Sequence, residues 1–220
     1  MPIKSDREYR SFDLITRAKE EKSEEEAYIV EGYASTFEEY ELWEDDDMIL
    51  RERIEPTAFD EADMSDVVFL LDHTGRVYAR TKNDTVKLET DEKGLFTRTD
   101  LSKTSASREV YEDIEAGNYS QMSFAFTVAA DRFEEKRAEG EKTIYTRIID
   151  RINKVYDISA VGFPANPTTN IGVATRAAFD GAIEKLTTER LEAEKRSKEE
   201  RDRKIAQLKL RFTEVNNYDS

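Results

Sequence analysis

The chain has 220 residues, of which 38% are charged and 38% hydrophobic, and its formal net charge is −15 at pH 7. It contains no cysteine and a single histidine, His73. These counts exclude a cysteine nucleophile, a zinc site built from several histidines and a catalytic triad with two histidines, so imidazole chemistry must combine His73 with hydroxyls and carboxylates.

The negative charge is concentrated in residues 1–175, which carry 23 Lys and Arg against 39 Asp and Glu, a net of −16. Nucleic-acid binding depends on Lys and Arg that neutralise phosphates, so we expect no direct binding of DNA or RNA. No apolar run approaches the ~20 residues that span a bilayer, and the N-terminus lacks the apolar segment of a secretory signal. Because the absence of cysteine also suits a reducing compartment, we expect a cytoplasmic protein without membrane contact.

The first 175 residues are predicted to form mainly β-strands, because their apolar residues are often β-branched or aromatic and partly alternate with polar ones. Candidate strands of the first half lie at 11–17, 27–36, 67–71, 85–89 and 95–99. The turn signal at 91–94 joins the last two into a hairpin. Residues 38–48 are predicted as a loop or short hairpin, and Pro56 marks the start of a helix within 54–59.

One helix and three further strands follow. Residues 103–116 are predicted as a helix capped by Thr104 or Ser105 and stopped by Gly117. Strands are predicted at 122–128, 143–149 and 154–163, with a hairpin tip at 137–142. Many strands with two interspersed helices indicate an α+β fold, in the form of a mixed sheet or a small barrel flanked by helices.

Residues 176–212 differ in kind, because they contain no proline and 192–204 is almost wholly charged. Apolar residues recur there at spacings of three and four near both ends. This pattern predicts a long solvated helix with a thin apolar seam, either an exposed tail or a segment that docks a partner. We therefore expect a body of residues 1–175 and a charged helical extension of residues 176–220.

Three side chains could carry chemistry together. Strand alternation places Met122 and Phe124 toward the core and Ser123 on an opposite face of small residues, although this pattern is also typical of any outer strand face. Asp157 interrupts an apolar strand, where a buried carboxylate is costly unless it is paired; the alternative is an edge or outward position. His73 ends a strand, where a purely structural role is the alternative.

Together these residues would supply a nucleophile, a base and an orienting carboxylate. A serine hydroxyl needs a neutral imidazole to accept its proton, and the imidazole needs an acceptor on its other nitrogen. Asp72 would point to the opposite face of a continuing strand, so Asp157 is the better partner for His73. Only geometry can test such a triad.

The chain resembles, in four segments and in the same order, the prohead (capsid-maturation) proteases of tailed bacteriophages, which are related in fold to the herpesvirus assemblins. The segments are 30–37, 69–73, 117–126 and 157–167, and 54–59 also looks like the family. The resemblance covers roughly residues 10–175. Two positions depart from it: Ala125 stands where the family often has glycine, and Asp72 where it often has asparagine.

This resemblance implies an assemblin-like serine endopeptidase, a compact mixed or antiparallel β-barrel flanked by helices, with His73 as base, Ser123 as nucleophile and Asp157 as third member. Its substrates would be the phage scaffold protein, a scaffold-like segment of the major capsid protein, and the enzyme itself, inside the procapsid in the host cytoplasm. The sequence is also compatible with a homo-oligomer. No metal or organic cofactor is expected, because no calcium-loop spacing occurs and abundant surface carboxylates are usually solvated.

Two other functions stay open at this point. An inactive assembly protein could keep the protease fold together with the helical segment, although it would not need all three side chains. An esterase or amidase for small substrates is disfavoured, because the Gly-x-Ser-x-Gly motif is absent.

Overall fold

A computed structural model of the chain describes residues 7–13, 28–138, 140–162 and 173–216. The chain divides into two compact units, Met1–Ala177 and Ala178–Ser220. Within the described ranges, the first unit holds ten strands, helix α1 (Ser105–Glu115) and two short 3-10 helices, Pro56–Phe59 and Thr81–Asn83, and the second holds most of helix α2 (Val173–Asn216). The strands are β1 (Glu8–Asp13), β2 (Ile29–Thr36), β3 (Tyr40–Glu44), β4 (Met48–Ile54), β5 (Val68–Leu71), β6 (Thr74–Arg80), β7 (Val86–Thr90), β8 (Gly94–Asp100), β9 (Gln121–Lys136) and β10 (Thr143–Val161).

The larger sheet has seven strands and is organised around β10. Strands β9 and β10 form a long antiparallel hairpin, and β1 pairs with the other edge of β9. Along its second edge, β10 pairs in parallel with β4 through its first part and with β5 through its last part. In the same sheet, β3 pairs antiparallel with β4, and β6 pairs antiparallel with β5. Register shifts along the β9–β10 ladder bend β10 locally, which allows it to pair first with β4 and then with β5.

The smaller sheet has three antiparallel strands in the order β2, β8, β7. The predicted hairpin at 85–99 is confirmed by the pairing of β7 with β8. Gly94 opens β8 where β2 approaches closely, and a Cβ atom at this position would lie 2.0 Å from the carbonyl oxygen of Ser35. Only glycine fits there.

The two sheets share one hydrophobic core. It combines residues of the small sheet, such as Val30 and Leu95, with residues of the large sheet, such as Phe69 and Phe124. Helix α1 adds three buried residues, Val110, Tyr111 and Ile114. The helix begins after Thr104, whose side chain accepts a hydrogen bond from the Ser107 amide at 3.1 Å, so the predicted helix and one of its two candidate caps are confirmed.

The mixed α+β class is confirmed, whereas the predicted compact barrel is wrong. Over the described residues the strands form two separate sheets of seven and three strands, with no closed barrel. The two strands predicted at 143–149 and 154–163 are one strand, β10, because β9 extends far enough to pair across the polar residues between them. Predicted residues 14–17, 27 and 163–167 lie outside the described part of the chain.

Helix α2 has the solvated character that the sequence predicts. Ion pairs link side chains one turn apart along it, among them Lys185–Glu189, Glu192–Arg196 and Glu200–Lys204. Leu191 and Ile205 are exposed. In the described ranges, neither helix combines the length and the apolar character that crossing a membrane requires.

Candidate active site

Ser123 lies in the middle of the large sheet, near the start of β9. It is directly opposite Ser11 of β1 and Ser159 of β10. Its neighbours Met122 and Phe124 are fully buried in the core, as the alternation predicts. Ser123 therefore faces the other side of the sheet, where it is only 1% exposed.

Asp157 lies in β10, between Ala125 of β9 and Val68 of β5. A register shift immediately before it, between Val155 and Asp157, sets the direction in which its side chain leaves the strand. The carboxylate is 5% exposed and both edges of β10 are paired around it. These facts exclude the alternative of an edge or outward position for Asp157.

His73 lies in the two-residue turn between β5 and β6. Leu71 pairs with Thr74, and the two turn residues, Asp72 and His73, have φ angles of 46° and 55°. Two successive positive φ angles are typical of the tight turns that match the twist of a hairpin. Because β5 pairs with the end of β10, this turn brings the imidazole over the face that carries Ser123 and Asp157.

Asp72 fastens the turn to the end of β10 by two hydrogen bonds. Its amide donates to the carbonyl of Ala160 at 3.1 Å, and its Oδ1 accepts from the amide of Gly162 at 3.2 Å. Asp72 thus holds the backbone of the turn and is not the carboxylate partner of the imidazole.

Both of the other predicted side chains, Ser123 and Asp157, are within hydrogen-bonding distance of His73. His73 Nδ1 lies 2.5 Å from Asp157 Oδ1, and His73 Nε2 lies 2.6 Å from Ser123 Oγ. An ionised carboxylate can only accept, so a neutral imidazole in this position has its proton on Nδ1 and presents the lone pair of Nε2 to the serine hydroxyl. The imidazole is 18% exposed, which makes it the most accessible of the three groups.

Two further residues contact this group, and the sequence analysis missed both. Ser159 Oγ donates to Asp157 Oδ1 at 2.9 Å and lies 3.2 Å from His73 Nδ1. The ring of Tyr9 meets the imidazole edge to face, with centroids 4.6 Å apart. Ser159 had a signal, since it follows Asp157 by two positions and so shares its strand face. Tyr9 had none, because it precedes the predicted first strand.

In the portions of the chain that the structure describes, no three His, Cys, Asp or Glu side chains are grouped so as to hold a metal ion. The site presents a hydroxyl, an imidazole and a carboxylate in hydrogen-bonded series.

Residues 12–181 match the family described as caudovirus prohead serine protease. The chain belongs to this family. Searches of curated proteins and of solved structures give no match. The family match confirms the resemblance stated from the sequence, and the matched range includes His73, Ser123 and Asp157. A prohead serine protease requires an activated serine; Ser123 Oγ contacts Nε2 of the single histidine, and Ser159 Oγ contacts its Nδ1. The likeness to assemblins stays a prediction.

Proposed function

We propose that this protein is a serine endopeptidase of phage capsid maturation in which His73, Ser123 and Asp157 form the catalytic triad. The observation that carries the proposal is the position of the imidazole, which contacts the serine hydroxyl through Nε2 and the carboxylate through Nδ1. Family membership supports the reaction class, and the geometry supports the choice of residues.

The mechanism follows from these contacts. His73 Nε2 takes the proton of Ser123 as the serine oxygen attacks the scissile carbonyl carbon, and it then gives that proton to the leaving amine. The resulting acyl-enzyme is hydrolysed by water, which His73 activates in the same way, and the serine is regenerated. Asp157 fixes the tautomer of the imidazole and stabilises its protonated form.

The proposed substrates are the scaffold protein, a scaffold-like segment of the major capsid protein, and the enzyme itself. Family membership supports the prohead as the place of action, which lies in the host cytoplasm. Part of the same proposal is that residues 1–175 form the protease body and residues 176–220 form an extension that tethers it to scaffold or shell.

The first test uses the scaffold and major capsid proteins of the same phage as substrates and reads product masses. Replacement of Ser123 or His73 by alanine should lower cleavage about 10⁴- to 10⁶-fold. Ser35→Ala is a matched control, because Ser35 is a fully buried strand serine in the small sheet, and it should cleave normally.

A second test needs no substrate. A fluorophosphonate reacts with an activated serine, so intact-protein mass should show one adduct, on Ser123, that is lost in both alanine variants. Undiminished cleavage by Ser123→Ala would exclude this serine as the nucleophile. A wild-type protein that neither cleaves nor labels would favour the inactive assembly protein.

A further inference from the structure

Ser159 lies in the sheet beneath the imidazole of His73, next to both Asp157 and Ser123. It follows Asp157 by two positions in β10 and is directly opposite Ser123 in β9. Its side chain is fully buried. Its hydroxyl oxygen forms a triangle with Asp157 Oδ1 and His73 Nδ1, with edges of 2.9 Å to the carboxylate and 3.2 Å to the imidazole, closed by the 2.5 Å contact between those two groups.

The hydrogen-bonding capacities of these groups fix the direction of each contact. The hydroxyl of Ser159 has one proton, which it donates to Asp157 Oδ1, and lone pairs that remain free to accept. The Nδ1 proton of His73 can therefore point to the carboxylate and, more weakly, to Ser159 Oγ. Asp157 Oδ1 accepts two hydrogen bonds from two different directions.

Two consequences follow for the carboxylate. Its terminal torsion is intrinsically broad, so a second donor narrows the range of orientations in which it can meet the imidazole. The same donor shares the negative charge of Oδ1, which weakens its stabilisation of a protonated imidazole. Ser159 would thus set both the position and the basicity of the proton acceptor.

An ordinary buried strand serine behaves differently in the same protein. Ser35 is equally buried, but its hydroxyl donates to the neighbouring backbone carbonyl of Thr36 at 3.4 Å. The hydroxyl of Ser159 contacts two ionisable side chains instead. Filling space or satisfying a local carbonyl does not account for that arrangement.

We infer that Ser159 is a positioning residue of this site, which holds Asp157 in the orientation that fixes the His73 tautomer and tunes its protonation. The inference rests on the proposed function, because positioning has a purpose only if His73 acts as a base. It adds a fourth residue to the three that the sequence predicts.

The single histidine makes this inference directly measurable. In tag-free protein labelled with ¹⁵N-histidine, every imidazole signal belongs to His73, so the tautomer and the protonation midpoint can be read by NMR without assignment. In Ser159→Ala we expect the midpoint to move to higher pH by roughly half a unit to one unit. The acid limb of the kcat/KM profile should move with it, and kcat/KM on the plateau should fall about 10- to 100-fold.

Ser35→Ala is the control and should leave the midpoint and the profile unchanged. If Ser159→Ala does not fold, Ser159→Cys serves instead, since a thiol fills the site but is a weak donor, and it should show the same direction of shift. Identical midpoints in wild type and in the folded Ser159 variant would overturn the inference. That result would leave the proposed function intact if Ser123→Ala is inactive, whereas an active Ser123→Ala would overturn the function itself.

Discussion

At the scale of single residues, His73 has a left-handed backbone conformation, which few residues other than glycine adopt. Both Asp72 and His73 have positive φ angles, and such positions cost of the order of 1–3 kcal/mol each. Hydrogen bonds of Asp72 with Ala160 and Gly162, and of His73 with its two partners, offset this cost. Strain that is maintained in this way is typical of functional sites, because it fixes a side chain where a relaxed turn would not place it.

Asp157 provides the sharpest test of how the imidazole is oriented. In Asp157→Asn the amide can donate as well as accept, which allows the wrong imidazole tautomer next to Ser123, so we expect kcat to fall about 10⁴-fold while the protein still folds. NMR of the single ¹⁵N-labelled histidine should show the proton moved from Nδ1 to Nε2. Asp113→Asn, at an exposed position on α1, is the control. Normal turnover by Asp157→Asn would mean that another carboxylate orients His73.

At the scale of elements, the hairpin of β5 and β6 determines whether the site forms at all. Strand β5 is short, and it is fixed on one side by its parallel ladder with β10, from Asp157↔Val68 to Ala160↔Leu71. The turn then closes over the sheet through the two hydrogen bonds of Asp72. The position of His73 is thus a property of the hairpin and of its attachment to β10.

Substitution of Asp72 tests the effect of the turn's attachment to β10 without changing His73, Ser123 or Asp157. Asp72→Ala removes the acceptor for the Gly162 amide and places alanine at a positive φ, so we expect kcat/KM to fall about 10- to 100-fold through misplacement of the imidazole. Asp72→Asn keeps an acceptor oxygen and tolerates the turn conformation, and it should retain most activity. Steady-state kinetics of the two variants decide the point. Equal activity of Asp72→Ala and wild type would show that the turn needs no such fastening.

Local signals made much of this architecture predictable. The alternation around Ser123, the hairpin of β7 and β8, and the cap and stop of α1 all depend on neighbouring residues. Strand β6 was not predicted, because Thr74–Arg80 is neither strongly apolar nor alternating and is a strand only through pairing with β5. The same limit applies to Ser159, whose contact with His73 depends on a hairpin turn more than 80 residues earlier.

At the scale of the whole body, a buried cluster of charges joins the first strand to distant parts of the chain. Arg10 donates to both oxygens of Glu52, at 2.5 and 2.7 Å, and Arg147 donates to both oxygens of Glu8, at 2.9 and 2.6 Å. Thr175, in the first turn of α2, donates to Glu8 at 2.8 Å. All five side chains are buried. Removing one member of such a cluster leaves an uncompensated buried charge. Because β1 contributes Glu8 and Arg10, detaching this strand would strongly destabilise the body.

Strand β1 also contacts the candidate site, through a residue on its other face. Glu8 and Arg10 lie opposite Phe126 and Phe124, whereas Tyr9 lies opposite Ala125 and reaches the imidazole. Burial alone would raise the pKa of Glu8, but the guanidinium groups of Arg10 and Arg147 outweigh it and lower the pKa to about 2. The charge of Glu8 thus stabilises the strand that supports His73.

This electrostatic arrangement predicts a specific loss of stability in acid. Because the folded pKa of Glu8 is about 2 and its ordinary value is 4.5, its contribution is complete above pH 4.5 and is lost as the pH falls through 2. Glu8→Gln should lower the free energy of unfolding at pH 7 by about 3 kcal/mol. Its difference from wild type should shrink progressively below pH 4.5. Urea unfolding across this range measures both effects.

Glu39→Gln is the matched control, because Glu39 pairs with Arg51 at 3.1 Å in a partly exposed position and should change the unfolding free energy by less than about 1 kcal/mol. A Glu8→Gln protein as stable as wild type at pH 7 would show that the cluster does not fasten β1. A Glu8→Gln protein that is less stable but has an unchanged NMR signal of His73 would mean that the charge cluster stabilises β1 but does not position the imidazole. The two measurements together separate the cost of breaking the cluster from its effect on the site.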